Sequence, residues 1–221
     1  MRVRDHLGVT VHRQHQLARA MQLTLFGLLF VGLERQSPNI MLNAGLGLAI
    51  TFLPAVLERD HEIPMDAGLT LWITAAAFLH AIGIIGIPGT GQSLYGSIPY
   101  YDHVTHGLSA SVVAAIGYAT VRAFDEHSER IHLPPRFIFV FILVFVMAFG
   151  VVWEIVEFSV DVVASATGFG VSGFTQHGLN DTMLDLVFNT MGGVVVGIWG
   201  TIYLTDVVDA IRKRLEAREA D

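Results

Sequence analysis

Residues 137–160 read FIFVFILVFVMAFGVVWEIVEFSV, a run in which Glu154 and Glu157 are the only ionisable side chains. A membrane-spanning helix needs roughly 20 mostly apolar residues, and this stretch meets that length with no turn signal inside it. It is apolar on every face until its last two turns, as a helix surrounded by lipid must be. The whole chain agrees: of 221 residues 52% are hydrophobic, the mean hydropathy is +0.55, and an ordinary soluble domain is less apolar than this.

Working outward, five more stretches have comparable length and composition, near 17–33, 39–57, 67–87, 104–124 and 182–204. The sequence therefore predicts an all-α, polytopic transmembrane helical bundle of about six spans, a single transmembrane domain over 1–221. Arg35 and Pro38 follow the first span without a small-residue cleavage site, so it reads as a retained span and not as a signal peptide. The segment 206–219 alternates acids and bases and reads as a solvated helical continuation.

Orientation follows from the basic residues in the short connections, because Lys and Arg accumulate on the cytoplasmic side. With both termini inside, twelve of the thirteen Lys and Arg fall inside and only Arg35 falls outside. The expectation is a multi-pass protein of the inner or plasma membrane, N-in and C-in. The formal charge of −7 then says little about partners, since acids and bases are sorted by side. Membrane lipid is the expected surrounding and no nucleic-acid partner is expected; oligomeric state is not legible. The absence of cysteine excludes disulfides, thiolate nucleophiles and thiolate metal sites.

Against this apolar background three short stretches gather acids and histidines. They are Tyr101-Asp102-His103-x-x-His106, Trp153-Glu154-x-x-Glu157-x-x-x-Asp161, and His177-x-x-x-Asp181-x-x-x-Asp185-x-x-x-Asn189. The topology sets all three at the outer side of the fourth, fifth and sixth spans, with His80 of the third span at a similar depth. At about 100° per residue, Asp181, Asp185 and Asn189 form one stripe, Glu154, Glu157 and Asp161 a second, and Asp102, His106 and Ser109 a third, with His103 on its flank. An ionisable group facing lipid costs about 2.5–3.5 kcal/mol near the bilayer centre even on lenient scales. The stripes are therefore expected to face one another. Gly107, Ser111 and Ala115, and Gly193 and Gly197, recur every four residues and suit close helix approach.

A plainer reading has Asp102 and Asp181 capping their helices at the N-terminus, with Asp185 and Asn189 bonding across helices. It leaves Glu154 and Glu157 unexplained, because both lie toward a helix C-terminus, where the dipole disfavours anions. The outer connections 86–101 and 162–180, rich in Gly, Ser and aromatic residues and without Lys or Arg, are long enough to cover a site.

Taken together, Tyr101-Asp102-His103-Val104-Thr105-His106-Gly107, Trp153-Glu154-x-x-Glu157 and Asp181-Thr182-x-x-Asp185-x-x-x-Asn189-x-x-x-Gly193 resemble the YjdF-like inner-membrane proteins. More distantly they are similar to the VanZ-like family associated with glycopeptide tolerance. The resemblance covers roughly 100–193 and implies a fold and a site but no established reaction.

Six carboxylates with up to four imidazoles and no nearby Lys or Arg cannot all stay charged in a low-dielectric pocket. Either a cation neutralises them or several carry protons. Mixed His and carboxylate ligands suit a divalent Zn, Mn or Fe ion, and Glu-x-x-Glu on a helix resembles the carboxylate arrays of bundle metal sites. The candidate ligands are His103, His106, Glu154, Glu157, Asp181 and Asp185, and the candidate catalytic carboxylates are Glu154, Glu157 and Asp185. His80, Tyr101, Asp102, Asp161, His177 and Asn189 complete the expected pocket.

Three functions fit such a pocket. One is a metal-assisted enzyme acting on lipid or envelope head groups, with a carboxylate as general base. The second is a cation- or proton-coupled transporter, and the third is a non-catalytic component that modulates the envelope. Phosphatidate-phosphatase chemistry is set aside because the outer face carries only Arg35, and desaturase chemistry because one His-x-x-His pair is too few.

Overall fold

The computed structural model describes residues 9–85, 92–167 and 178–220, and it is helical nearly throughout. Helix α1 (Val11–Glu34) begins at Thr10, whose hydroxyl accepts from the Arg13 amide at 3.3 Å. Helix α2 (Pro38–Thr51) begins at Ser37 with Pro38 in its first turn, where the missing N–H costs nothing. Phe52 interrupts the helix before α3 (Leu53–His61). The cause is Pro54, which has no N–H to give to the carbonyl four residues back. The expected single span over 39–57 is thus a broken one, although Pro38–His61 as a whole has the length and hydropathy to cross a membrane.

Helix α4 (Ala67–Gly83) is capped by Asp66, whose Oδ1 accepts from the Leu69 amide at 2.8 Å. At 1.5 Å per residue it is about 25 Å long, shorter than the expected 67–87. A single turn, α5 (Leu94–Ser97), follows. Then come three long helices, α6 (Tyr101–His127), α7 (Pro135–Thr167) and α8 (Leu179–Tyr203). Leu204 separates α8 from α9 (Thr205–Ala220), the expected helical tail. Five segments are long and apolar enough to cross a membrane: α1, α2 with α3, α6, α7 and α8, with α4 as a shorter apolar helix. The chain is a multi-pass membrane protein.

The chain divides into two compact units, residues 1–61 with 65–99, and residues 62–64 with 100–221. In the first, α1, α2 and α4 pack against one another. Their contacts use small residues; Gly47, for example, lies against Ala81 and the Ala77 carbonyl. In the second, α6 packs most extensively on α8, α7 packs on both, and α9 packs along α6.

The seam between α6 and α8 is backbone to backbone. A Cβ on Gly192 would overlap the carbonyl oxygen of Gly107 and lie 3.0 Å from the Ser111 nitrogen. Gly200 meets the ring of Tyr118 further along the same seam. Gly193 and Gly197, expected from their spacing to mark helix contacts, do so against α7, where they face Val146 and Phe139. Around this seam Ala114, Ala119, Ala123, Ile142 and Val146 are buried, while Val152, Ile155 and Phe158 of α7 are more than half exposed, as residues facing acyl chains are.

The connection between α6 and α7 is fastened by Asp125. Its Oδ1 accepts from the Leu133 amide at 2.6 Å and its Oδ2 pairs with Arg122 at 2.5 Å. Arg122 also reaches Glu126 at 2.8 Å, and His127 reaches Glu219 of α9 at 3.0 Å.

Candidate functional site

Among the described residues, the acid and histidine side chains that converge do so in the second unit, at the start of α6, late in α7 and at the start of α8. The entry into α6 is unusual. Its N-cap is Tyr100, in the left-handed region at φ 62°, and no side chain caps the helix. Helix α8 starts after Gly178 at φ 101°, also without a side-chain cap, a conformation that costs glycine little. Asp102 and Asp181 are therefore not N-caps. Both sit in the first turn of their helices, where the dipole still favours an anion.

From α6, His103 Nδ1 lies 2.8 Å from Asp185 Oδ1, and the two side chains are 12% and 2% exposed. His106 Nε2 lies 3.6 Å from Asp102 Oδ1. Thr105 ties its hydroxyl to the Asp102 carbonyl at 2.7 Å. The His103 ring is flanked by Phe188 and Tyr100, with centroids 5.5 Å and 6.1 Å away.

From α7, the Trp153 indole N–H donates to Glu157 Oε1 at 2.8 Å. The Thr182 hydroxyl of α8 donates to Glu154 Oε2 at 2.8 Å. Glu154 Oε1 is buried and has no hydrogen-bond partner, although Glu154 as a residue is only 6% exposed. Glu157 and Asp185 are equally enclosed, at 7% and 1%. A buried polar atom without a partner is costly, and a carboxylate oxygen is the most demanding of these.

The ligand-type atoms fall into three overlapping groups, each within 4.8 Å: Asp102 with His106 and Asp185, His103 with Asp181 and Asp185, and His106 with Glu154 and Glu157. Every residue expected from sequence as a metal ligand is in at least one of them. No Lys or Arg is in the cluster; on α6 the nearest along the chain is Arg122, about 24 Å beyond His106 at 1.5 Å per residue and engaged by Asp125 and Glu126. The chemistry on offer is that of a strongly anionic, mostly enclosed set of oxygen and imidazole donors.

The other expected pocket residues fare differently. Asn189 is buried at 4%, one turn below Asp185, and its side-chain nitrogen occupies the space left by Gly150 of α7. Tyr101 and Asp161 are partly buried and Asp161 is in none of the three groups. His80 belongs to the first unit, where its Nδ1 meets the Tyr95 hydroxyl at 3.1 Å, a hydroxyl that also donates to the His80 carbonyl. His177 lies outside the described residues, as do 86–91 and 168–177 of the two long connections.

Two partners were not anticipated from sequence. Thr182 signals itself only by standing next to Asp181, and Trp153 only by its i, i+4 relation to Glu157.

Residues 17–206 match the family described as predicted membrane protein (DUF2238). A curated relative named "Uncharacterized protein", from Thermotoga maritima, is 30% identical over 141 residues, which cover 64% of this chain and 66% of the relative. The chain thus spans just under two thirds of the length of the curated relative it matches. No solved structure matches. The YjdF-like resemblance agrees with the family match, and the VanZ-like one gains no support from it.

Proposed function

Because this chain belongs to the predicted membrane protein family DUF2238 and gathers seven acids and histidines in its second unit, we propose that this cluster is a divalent-metal centre. We assign it to metal-assisted hydrolysis or transfer on a lipid or envelope head group at the outer membrane surface. The observation that carries the reading is Glu154 Oε1, a buried carboxylate oxygen with no hydrogen-bond donor, in a residue grouped with His106 and Glu157. A metal ion satisfies such an oxygen where no side-chain donor does. The mixture of imidazole and carboxylate suits Zn, Mn or Fe.

Within that reading the chain's own residues have distinct tasks. Thr182 and Trp153 each hold one oxygen of Glu154 and Glu157, which fixes the direction of the other, as outer-shell donors do at metal sites. A bound ion would supply Lewis acidity and an activated water. Glu157 or Asp185, whichever is not itself a ligand, would be the carboxylate available as general base.

Enzyme is favoured over transporter by the helices themselves. α7 runs unbroken past the cluster and α6 and α8 continue unbroken from it, whereas transport sites are typically built from helices interrupted within the membrane. The backbone contact of Gly192 with Gly107 also leaves no passage along that seam.

The test is elemental analysis of the protein purified in a mild detergent with Zn, Mn and Fe supplied, beside Glu154→Gln and His106→Ala. The expected result is stoichiometric metal in the native protein and a severalfold loss in each variant. Metal content unchanged by both substitutions would sink the proposal.

A further inference from the structure

The three groups are linked but do not collapse into one. The group of His103, Asp181 and Asp185 shares no residue with the group of His106, Glu154 and Glu157. The third group, in which Asp102 meets His106 and Asp185, joins them through one residue from each side. Building on the metal-centre reading above, we propose that the cluster holds two divalent cations, one in each outer group, with the Asp102–His106–Asp185 group between them.

Distance is the first argument. Donors to one ion at about 2.0–2.2 Å are separated by at most about 4.4 Å, the trans arrangement. Each group, with its donor atoms within 4.8 Å of one another, needs only a small contraction to surround one ion. Two disjoint shells make two ions. The 2.8 Å between His103 Nδ1 and Asp185 Oδ1 is close to the spacing of neighbouring donors on a single ion of that bond length, about 3 Å. His103 and Asp185 thus stand at the spacing of adjacent ligands, an ion taking the place of the proton they share.

Charge is the second argument. Asp102, Glu154, Glu157, Asp181 and Asp185 bring five carboxylates with no Lys or Arg among them. With all five ionised, one divalent ion would leave three negative charges in surroundings where Glu154, Glu157 and Asp185 are under a tenth exposed. Two ions would leave one. Uncompensated charge in a low-dielectric site is the more costly arrangement.

The third argument is that both outer groups are prepared. In one, Asp185 is held by His103. In the other, Thr182 holds Glu154 by one oxygen and leaves its second, buried oxygen without a partner. A pair of ions roughly 3.5–4 Å apart clamps the attacking and leaving oxygens of a displacement, which makes a phosphate ester the class of head group that this centre would take. It also explains how a site without Lys or Arg could accept an anionic substrate, since the ions supply the positive charge.

The decisive measurement is manganese loading of the full chain in detergent, read by elemental analysis and by electron paramagnetic resonance. The expected result is two Mn per chain with the broadened spectrum of a coupled pair. His103→Ala and Glu154→Gln should each retain one Mn per chain with an uncoupled spectrum. One Mn per native chain, lost altogether in both variants, overturns the two-ion inference and leaves the metal centre standing. No Mn, Zn or Fe in the native chain overturns both. The native stoichiometry and spectrum decide the matter even where a variant does not fold.

Discussion

His103 of α6 and Asp185 of α8, eighty-two residues apart in sequence, meet at 2.8 Å between Nδ1 and Oδ1 with both side chains nearly enclosed. The pair joins the two helices that pack most extensively in the second unit, and it stands at the edge of the acid cluster. Removing the imidazole leaves Asp185 buried without that donor. A hydrogen bond to a charged group contributes about 1.5–3 kcal/mol, so His103→Ala should lower the thermal unfolding midpoint of the detergent-solubilised protein by several degrees. His103→Gln, which can still donate, should recover part of the loss. Equal midpoints for native protein and His103→Ala would count against any structural weight for the pair.

Thr182 should act on Glu154 without touching a metal. Its hydroxyl donates to Glu154 Oε2 at 2.8 Å, and loss of such an outer-shell donor typically weakens metal affinity about 10–100-fold. Thr182→Val is expected to show that loss in a competition titration with a chelator, whereas Thr182→Ser, which keeps the hydroxyl, should stay within a few-fold of native. Equal weakening by both substitutions would mean that packing, not the hydrogen bond, is what Thr182 supplies.

The α6/α8 seam gives a sharp contrast between adjacent glycines. A methyl at Gly192 would collide with the carbonyl of Gly107, a backbone atom that cannot swing aside, while a methyl at Gly193 would meet Leu143 Cδ2 at an ordinary 3.4 Å. Overpacking costs about 1–3 kcal/mol or more, and alanine is favoured over glycine in a helix by up to about 1 kcal/mol. Gly192→Ala should therefore unfold at clearly lower temperature than native, and Gly193→Ala at the same temperature or higher.

That contrast marks the limit of what the sequence discloses. The helices were legible because a run such as 137–160 has only one way to satisfy its backbone in lipid. The acids were legible as a converging group because their spacing puts each set on one face. Which face meets which neighbour was not, since the rotation of one helix against another depends on the pair. Hence Gly193 and Gly197 turn to α7 while Gly192, one residue away, makes the closest approach. For the same reason His103, on the flank of the Asp102 and His106 stripe, reaches Asp185 directly. The break at Phe52 was hidden inside an apolar run whose composition Pro54 hardly alters.

His80 supplies a control. Its Nδ1 and carbonyl both meet the Tyr95 hydroxyl at 3.1 Å, and Tyr95 lies flat against Gly83, which has no side chain to displace it. Tyr95→Phe removes both contacts and should cost about 1–2 kcal/mol of stability. Metal content should be unchanged in Tyr95→Phe and in His80→Ala. Loss of metal in His80→Ala, with the fold intact, would bring His80 back among the candidate ligands.

Asp125 offers the last test, on the cytoplasmic side of the predicted topology. Buried at 7%, it receives the Leu133 amide at 2.6 Å and the Arg122 guanidinium at 2.5 Å, so one carboxylate closes the turn from α6 into α7 and pairs with Arg122. Asp125→Ala leaves a buried amide and a partly buried cation without it. Breaking a buried charge pair costs about 3–5 kcal/mol, discounted here because Arg122 is 35% exposed and keeps Glu126 at 2.8 Å; about 1–3 kcal/mol is the reasonable range. Asp125→Asn can still accept from Leu133 and should lose less. Because the site lies at the far end of α6, limited proteolysis should cut Asp125→Ala within 128–134 while metal content per folded chain stays at the native value. A fall in metal content without new cleavage would instead tie the inner turn to the acid cluster.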